Sequence, residues 1–222
     1  MAIRMHDEEV NVNEALVRTL LVAQMPNLAD QPLTKVEPWG TDNAIWRLGD
    51  DLVVRLPRIH WATGQIDRDA TWLPRLALSL PVPIPEPIAI GEPGSGYPYR
   101  WALHRWIPGE GAKLNRVSHP ETFALELADF VQKLQVLSTD GAPAARNRAR
   151  PLHEYDPETR RAIDRSSDLI DADAATAVWE EALAAPPFKG PPVWVHGDLE
   201  GWTGVITWNH QTRTGFDPLQ SR

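Results

Sequence analysis

The segment VWVHGDL at 193–199 holds the most chemically loaded triplet of the chain, His196-Gly197-Asp198. An apolar run, then His-x-Asp, then a loop presents a carboxylate that can take a proton from a hydroxyl within hydrogen-bond reach. The same triplet also reads as a plain turn whose carboxylate caps backbone amides. There is no cysteine, so thiol nucleophiles and thiolate metal sites are excluded, and the chemistry falls to carboxylates, histidines and hydroxyls. A net charge of −8 argues against nucleic-acid binding, since such surfaces carry a basic stripe; Arg146, Arg148 and Arg150 form the only basic cluster and read as a solvated loop. The acidic series Asp164, Asp168, Asp171, Asp173, Glu180 and Glu181 would attract a polycation, or is a solvated helical face. No apolar run is long enough for a bilayer, and no basic segment with an apolar stretch opens the chain, so a soluble cytoplasmic protein without membrane contact is expected.

These groups need elements to hold them. Residues 13–25 place Leu16, Leu20 and Ala23 on one helical face, closed by Pro26. LTKVEPW, NAIWRLG and DLVVRLP between 33 and 57 are three short apolar runs separated by turn signals, an antiparallel meander. A helix follows from Gly64 to Leu73, broken at Pro74. The proline-rich segment 81–87 reads as an extended edge or linker, and IAIG with YRWALHRWI as a hairpin-like pair around EPGSGYP. Beyond IPGEGA at 107–112, Ser118 and Glu121 form a capping-box pattern ahead of Phe123, Leu127, Phe130, Val131 and Leu134. Helices follow over 157–170 and 174–184, the first started by Asp156 and the second by Asp173 and stopped at Pro186 and Pro187. PVWV then reads as a short buried strand. Ten tryptophans and twenty-one prolines suit many turns and bulky packing anchors rather than long helices.

In this order, four segments resemble the aminoglycoside phosphotransferase family. VWVHGDL resembles its catalytic loop, GTDNAIWRLGDDLVVRLPR (40–58) its nucleotide-covering hairpin and third strand, DRDATWLPRLA (67–77) its C helix, and GYPYRWALHRWIPGE (96–110) its hinge. The resemblance implies an α+β, protein-kinase-like two-lobe fold. Residues 1–106 would form a small antiparallel β lobe that binds nucleotide, and 107–222 a mainly helical lobe with the catalytic loop. It implies transfer of the γ-phosphoryl of ATP or GTP to a hydroxyl of a small molecule such as an aminoglycoside, hence antibiotic resistance. Asp198 would be the general base and His196 a brace of the loop. Arg55 would hold the α- and β-phosphates, as a donor fork rather than a point charge. Asp69 would be its helical partner, and Gly40, Thr41, Asp42 and Asn43 would form the turn over the phosphates, whose amides cradle oxygens. Backbone around Leu103, His104 and Arg105 would meet the base edge.

Two departures follow from the same resemblance. Thr203 stands where the family has a metal-binding asparagine, five residues after the aspartate. GVITWN at 204–209 puts Thr207 where the magnesium-binding carboxylate belongs. Only nine positions separate it from Asp198, so a hairpin is expected to be missing. Asp217 is the nearest downstream carboxylate and a possible substitute. The Mg2+ implied by the family would then be bound poorly. The expectation is a truncated or frameshifted member with an incomplete large lobe, impaired turnover and self-association through exposed apolar surface. Alternatives are a non-catalytic pseudokinase or nucleotide-binding module, and a gene remnant.

Overall fold

Asn13 starts the first helix because its side chain accepts a hydrogen bond from the Leu16 amide at 2.9 Å, the satisfaction an N-cap supplies. The computed structural model describes residues 8–36, 42–111, 117–144, 150–197, 199, 204–206 and 214–216. Two compact units divide the chain, Met1–Leu137 with Asp198–Arg222, and Ser138–Gly197.

In the first unit, α1 (Glu14–Gln24) is followed by β1 (Leu33–Lys35), β2 (Asn43–Leu48) and β3 (Leu52–Pro57). Then come α2 (Thr63–Ala77), β4 (Pro87–Gly91) and β5 (Trp101–Arg105). The five strands form one antiparallel sheet in the order β1-β2-β3-β5-β4, so the meander and the hairpin-like pair expected from sequence merge into a single layer. Strand alternation gives that layer two apolar faces. Ala44, Trp46, Leu48, Val54, Leu56, Trp101 and Leu103 pack with Val17, Leu20 and Leu21 of α1. Each such buried leucine contributes about 2 kcal/mol. The helical face differs from the expected one: Val17 and Leu21 are buried while Ala23 is exposed, because burial follows the two larger side chains flanking Leu20. At Gly91 the ring of Trp101 lies where a side chain would start; a Cβ there would be 1.9 Å from the indole Cε2, so glycine is the residue that lets β4 and the tryptophan coexist.

α2 runs through Pro74 to Ala77 rather than stopping at Leu73. Proline removes one intrahelical bond, but it sits on the exposed side of the helix, while buried Ile66 and Leu73 hold the other side.

The rest of this unit contains β6 (Glu110–Gly111), α3 (Pro120–Gln135), β7 (Gly204–Ile206) and β8 (Thr214–Phe216). The capping box does not form. The N-cap is His119 without a side-chain bond, since Pro120 forces the residue before it out of helical geometry and the helix begins at the proline. Phe130 and Leu134 are the buried residues of α3, which touches β8. β6, β7 and β8 make a second antiparallel sheet.

The second unit holds α4 (Asp156–Arg165) and α5 (Ala172–Ala184). α4 ends before Ser166 and Ser167, residues whose side chains compete with the helical backbone, so it is shorter than expected. The N-cap of α5 is Asp171, accepting from the Ala174 amide at 2.9 Å, not Asp173. Trp179 of α5 donates to Asp156 of α4 at 2.7 Å, and Arg160 links to Glu180 at the same distance, so the two helices are tied by polar contacts. Residues 191–196 are not a strand: Pro191 and Pro192 have no amides to give a ladder, and Val195 is exposed. Trp194 holds the segment by donating to the Ser138 carbonyl at 2.9 Å. No described helix is long and apolar enough to cross a membrane.

Candidate active site

Val54 and Leu56 of β3 point to the α1 face, so alternation sends Val53 and Arg55 to the other, where α2 lies. Arg55 is 2% exposed, and water cannot satisfy its charge. α2 supplies the compensation. Asp69 accepts a hydrogen bond from Nη1 through Oδ2, and Gln65, one helical turn earlier, accepts from Nη2 through Oε1. Burial pushes the Asp69 carboxyl above its ordinary range; the charge and hydrogen bond of Arg55 pull it back, with a smaller pull from Arg68. Asp69 keeps 23% of its side chain exposed, so losing it, which leaves the buried guanidinium uncompensated, costs toward the lower end of about 3–5 kcal/mol. Sequence reasoning brought Arg55 and Asp69 together but missed Gln65. Its signal was spacing, since four residues before Asp69 is the same face of the helix.

Polar side chains flank Arg55 on this face. Asn43, opposite Pro57 in the β2–β3 register, is 1% exposed, and neither its amide oxygen nor its nitrogen has a partner among the described residues. His104 of β5, opposite Val53, is wholly buried, and both ring nitrogens are likewise without a partner among them. Burial pulls the His104 pKa down to about 3, and the positive charge of Arg55 adds to the effect. The imidazole is therefore neutral at ordinary pH. Ile45 and Val53, with Val36 and Trp106 beside them, form a small apolar cluster next to these groups.

A buried histidine of this kind makes the fold acid-sensitive. The unfolded chain takes up a proton near the ordinary pKa of 6.5, while the folded chain resists until about pH 3. Stability is then present above the unfolded value and declines as pH falls, at up to about 1.4 kcal/mol per pH unit. His104→Leu is expected to flatten that decline in urea unfolding measured between pH 7 and 4. An unchanged slope would reject the assignment to His104.

The other expected site residues are distributed as follows. Asp42 accepts from the Trp61 indole through Oδ1 at 3.3 Å, and its carbonyl accepts from the Arg58 amide at 2.7 Å, which fixes the end of the turn leading into β2. The side chain of Leu103 belongs to the α1 face, away from Arg55. Arg105 points outward to Glu86 at 2.7 Å, and the amides of Arg105 and Trp106 are taken by the carbonyls of Glu86 and Asp51. His196 is half-buried, and Gly197 has φ of 80°, a left-handed conformation that glycine takes without strain. Gly40, Thr41, Asp198, Thr203, Thr207 and Asp217 lie outside the described residues.

The hairpin expected to be missing is present. β7 and β8 pair antiparallel, with Gly204 opposite Phe216 and Ile206 opposite Thr214. The GVI run is the first strand of this hairpin rather than the strand that ends it. Thr207 therefore begins the connection between the two strands, and the residue that follows the completed hairpin is Asp217. The spacing argument took the GVI run as the second strand, whereas it pairs with a strand that follows it.

The family model described as APH, phosphotransferase enzyme family, matches residues 35–202. No curated protein matches the sequence. Among solved structures, the GDP complex of a mutant aminoglycoside 2'-phosphotransferase IIIa is similar with TM-score 0.78 and 20% identity, over 94% of this chain and 72% of that one. The GDP and kanamycin complex of the IIIa enzyme gives TM-score 0.76 and 19% identity, over 92% and 72%. A macrolide 2'-phosphotransferase from Brachybacterium faecium, without ligand, gives 0.64 and 22%, over 94% and 73%. The kinase-like α+β fold is common to all three, and with a family match over most of its length the chain belongs to the APH phosphotransferase enzyme family.

Proposed function

We propose that this protein is a nucleotide-dependent kinase of a small hydroxylated molecule, with residues 1–106 as the nucleotide-binding lobe and 107–222 as the lobe carrying the catalytic loop. The observation that carries the reading is the pair of buried Arg55 with half-buried Asp69 between β3 and α2. Burying a guanidinium is costly, and it serves no obvious packing need at the centre of a sheet face; a cation fixed there is ready to meet phosphate. The unpartnered Asn43 and His104 beside it, and the apolar cluster around Ile45 and Val53, support a ligand with both charged and flat parts. ATP and GTP both fit this description. Two of the three solved relatives are complexes with GDP, one of them also with kanamycin, which makes an aminoglycoside the first acceptor to try.

In this reading Arg55 and the amides of the 40–43 turn orient the phosphates, and Asp198 accepts the proton of the acceptor hydroxyl as its oxygen attacks the γ-phosphorus. His196 braces the loop. Asp217 after β8, with the neutral oxygen of Thr203, would hold Mg2+, since a carboxylate with an added hydroxyl suits a hard cation. The ion would neutralise charge between the phosphates. Such catalysis is mostly positioning and charge stabilisation, the work for which a rigid sheet and helix are suited. Thr203 in place of the asparagine favours a second reading, nucleotide binding with slow turnover. Exposed Leu125, Val136, Leu169, Val178 and Phe188 support self-association.

The test combines calorimetric titration with ADP and GDP and an assay of nucleoside diphosphate release with kanamycin. Binding together with kanamycin-dependent release is the expected result. Binding without release from any of a panel of aminoglycosides and macrolides would favour the second reading, and absence of binding would refute both.

A further inference from the structure

An arginine held by one carboxylate oxygen is free to turn its plane about that contact, whereas a lysine ammonium so held has little left to lose. The guanidinium is a flat fork of donors, and only a second acceptor fixes the direction in which its remaining N–H groups point. In this chain the contact with Asp69 is made through Nη1 alone, and the second acceptor is the side-chain oxygen of Gln65 on Nη2. Both acceptors stand on α2, one turn apart, and α2 is itself pinned by buried Ile66 and Leu73. Nε of Arg55 is buried and has no partner among the described residues. Each terminal nitrogen thus gives one bond to the helix, and Nε is the donor left without one among the described residues.

We propose that Gln65 is a positioning residue that sets the plane of Arg55 for phosphate, a requirement created by arginine at this point of β3. The inference rests on the reading of Arg55 as the phosphate-holding cation. It also accounts for the neutrality of Gln65. Asp69 already balances the guanidinium, and a second carboxylate would accept the same hydrogen bond while adding a negative charge against the incoming phosphates. An amide gives the bond without the charge.

The experiment is a calorimetric titration of the full chain with ADP and with GDP, alongside thermal unfolding, for wild type, Gln65→Ala, Gln65→Glu, Arg55→Lys and Arg55→Lys with Gln65→Ala. Gln65→Ala is expected to weaken both nucleotides about tenfold, the worth of one hydrogen bond to a charged group. Gln65→Glu keeps the shape of the side chain and its bond to Arg55. It is expected to retain the melting temperature and still lose at least about tenfold in affinity, a separation that a merely structural role would not produce. In the Arg55→Lys background, removing Gln65 is expected to cost under about twofold, because an ammonium has no plane to set. Unchanged affinity in Gln65→Glu, or an equal loss from Gln65→Ala in the arginine and lysine backgrounds, would overturn the proposal while leaving the phosphate role of Arg55 intact. A wild-type chain that binds neither nucleotide would remove the kinase reading and this inference with it.

Discussion

Asp198→Asn is expected to lower phosphoryl transfer about a thousandfold, within the range by which a positioned general base accelerates proton transfer. The substitution keeps the size of the side chain and one acceptor oxygen, so the acceptor hydroxyl can still be held, but an amide oxygen cannot take its proton. The loss should therefore fall on kcat. Nucleotide affinity should stay within about twofold, since a general base acts on the acceptor hydroxyl and not on the phosphates. The competing reading of His196-Gly197-Asp198 is a turn in which the carboxylate only caps amides. It predicts a different pattern, a lower melting temperature with a comparable fall in every binding and rate constant. Turnover within about tenfold of wild type, at unchanged melting temperature, would remove Asp198 as the base.

What could be read from sequence follows how local each signal is. The sheet was legible because β2 and β3 are short apolar-rich runs, buried along nearly their whole length, and the Gly49 turn between them has φ of 60°, a conformation glycine takes without strain. Arg55 and Asp69 were legible only through resemblance; nothing in a lone arginine or a lone aspartate says that they meet across a sheet and a helix. His104 shows the limit from the other side. Its position was marked for its backbone, while its ring, buried and neutral beside Arg55, depends on which strands flank β5, and that is a non-local fact. Helix ends failed for local reasons that outweighed pattern. Pro120 set the start of α3 in spite of Ser118, and Pro74 was tolerated in α2 because it faces water.

The β7–β8 hairpin was the costliest miss, since a three-residue strand such as GVI carries almost no periodicity, and its partner TGF lies beyond an intervening connection. Without the pairing, the apolar run nearest the catalytic loop was taken as the end of the hairpin. The expectation of poor magnesium binding was built on that placement of Thr207.

The consequence is measurable. With Asp217 directly after β8, nucleotide affinity should rise on adding Mg2+, contrary to the weak dependence expected if Thr207 held that place. Asp217→Asn is expected to reduce the gain from the metal by on the order of a hundredfold, as loss of one ligand charge does at a hard-cation site, with metal-free affinity unchanged. Thr207→Ala, in the connection between the strands, should leave the magnesium gain within about twofold of wild type. The comparison is made by titrating ADP into each protein with and without Mg2+, which needs no turnover and so separates metal binding from the chemistry at Asp198. Because Asn at 217 preserves shape and removes charge, a fall in melting temperature is not expected and would point to a structural role for the carboxylate. If instead Thr207→Ala erased the magnesium gain and Asp217→Asn did not, the hairpin would not be delivering its following residue to the phosphates, and the assignment of Asp217 would have to be given up.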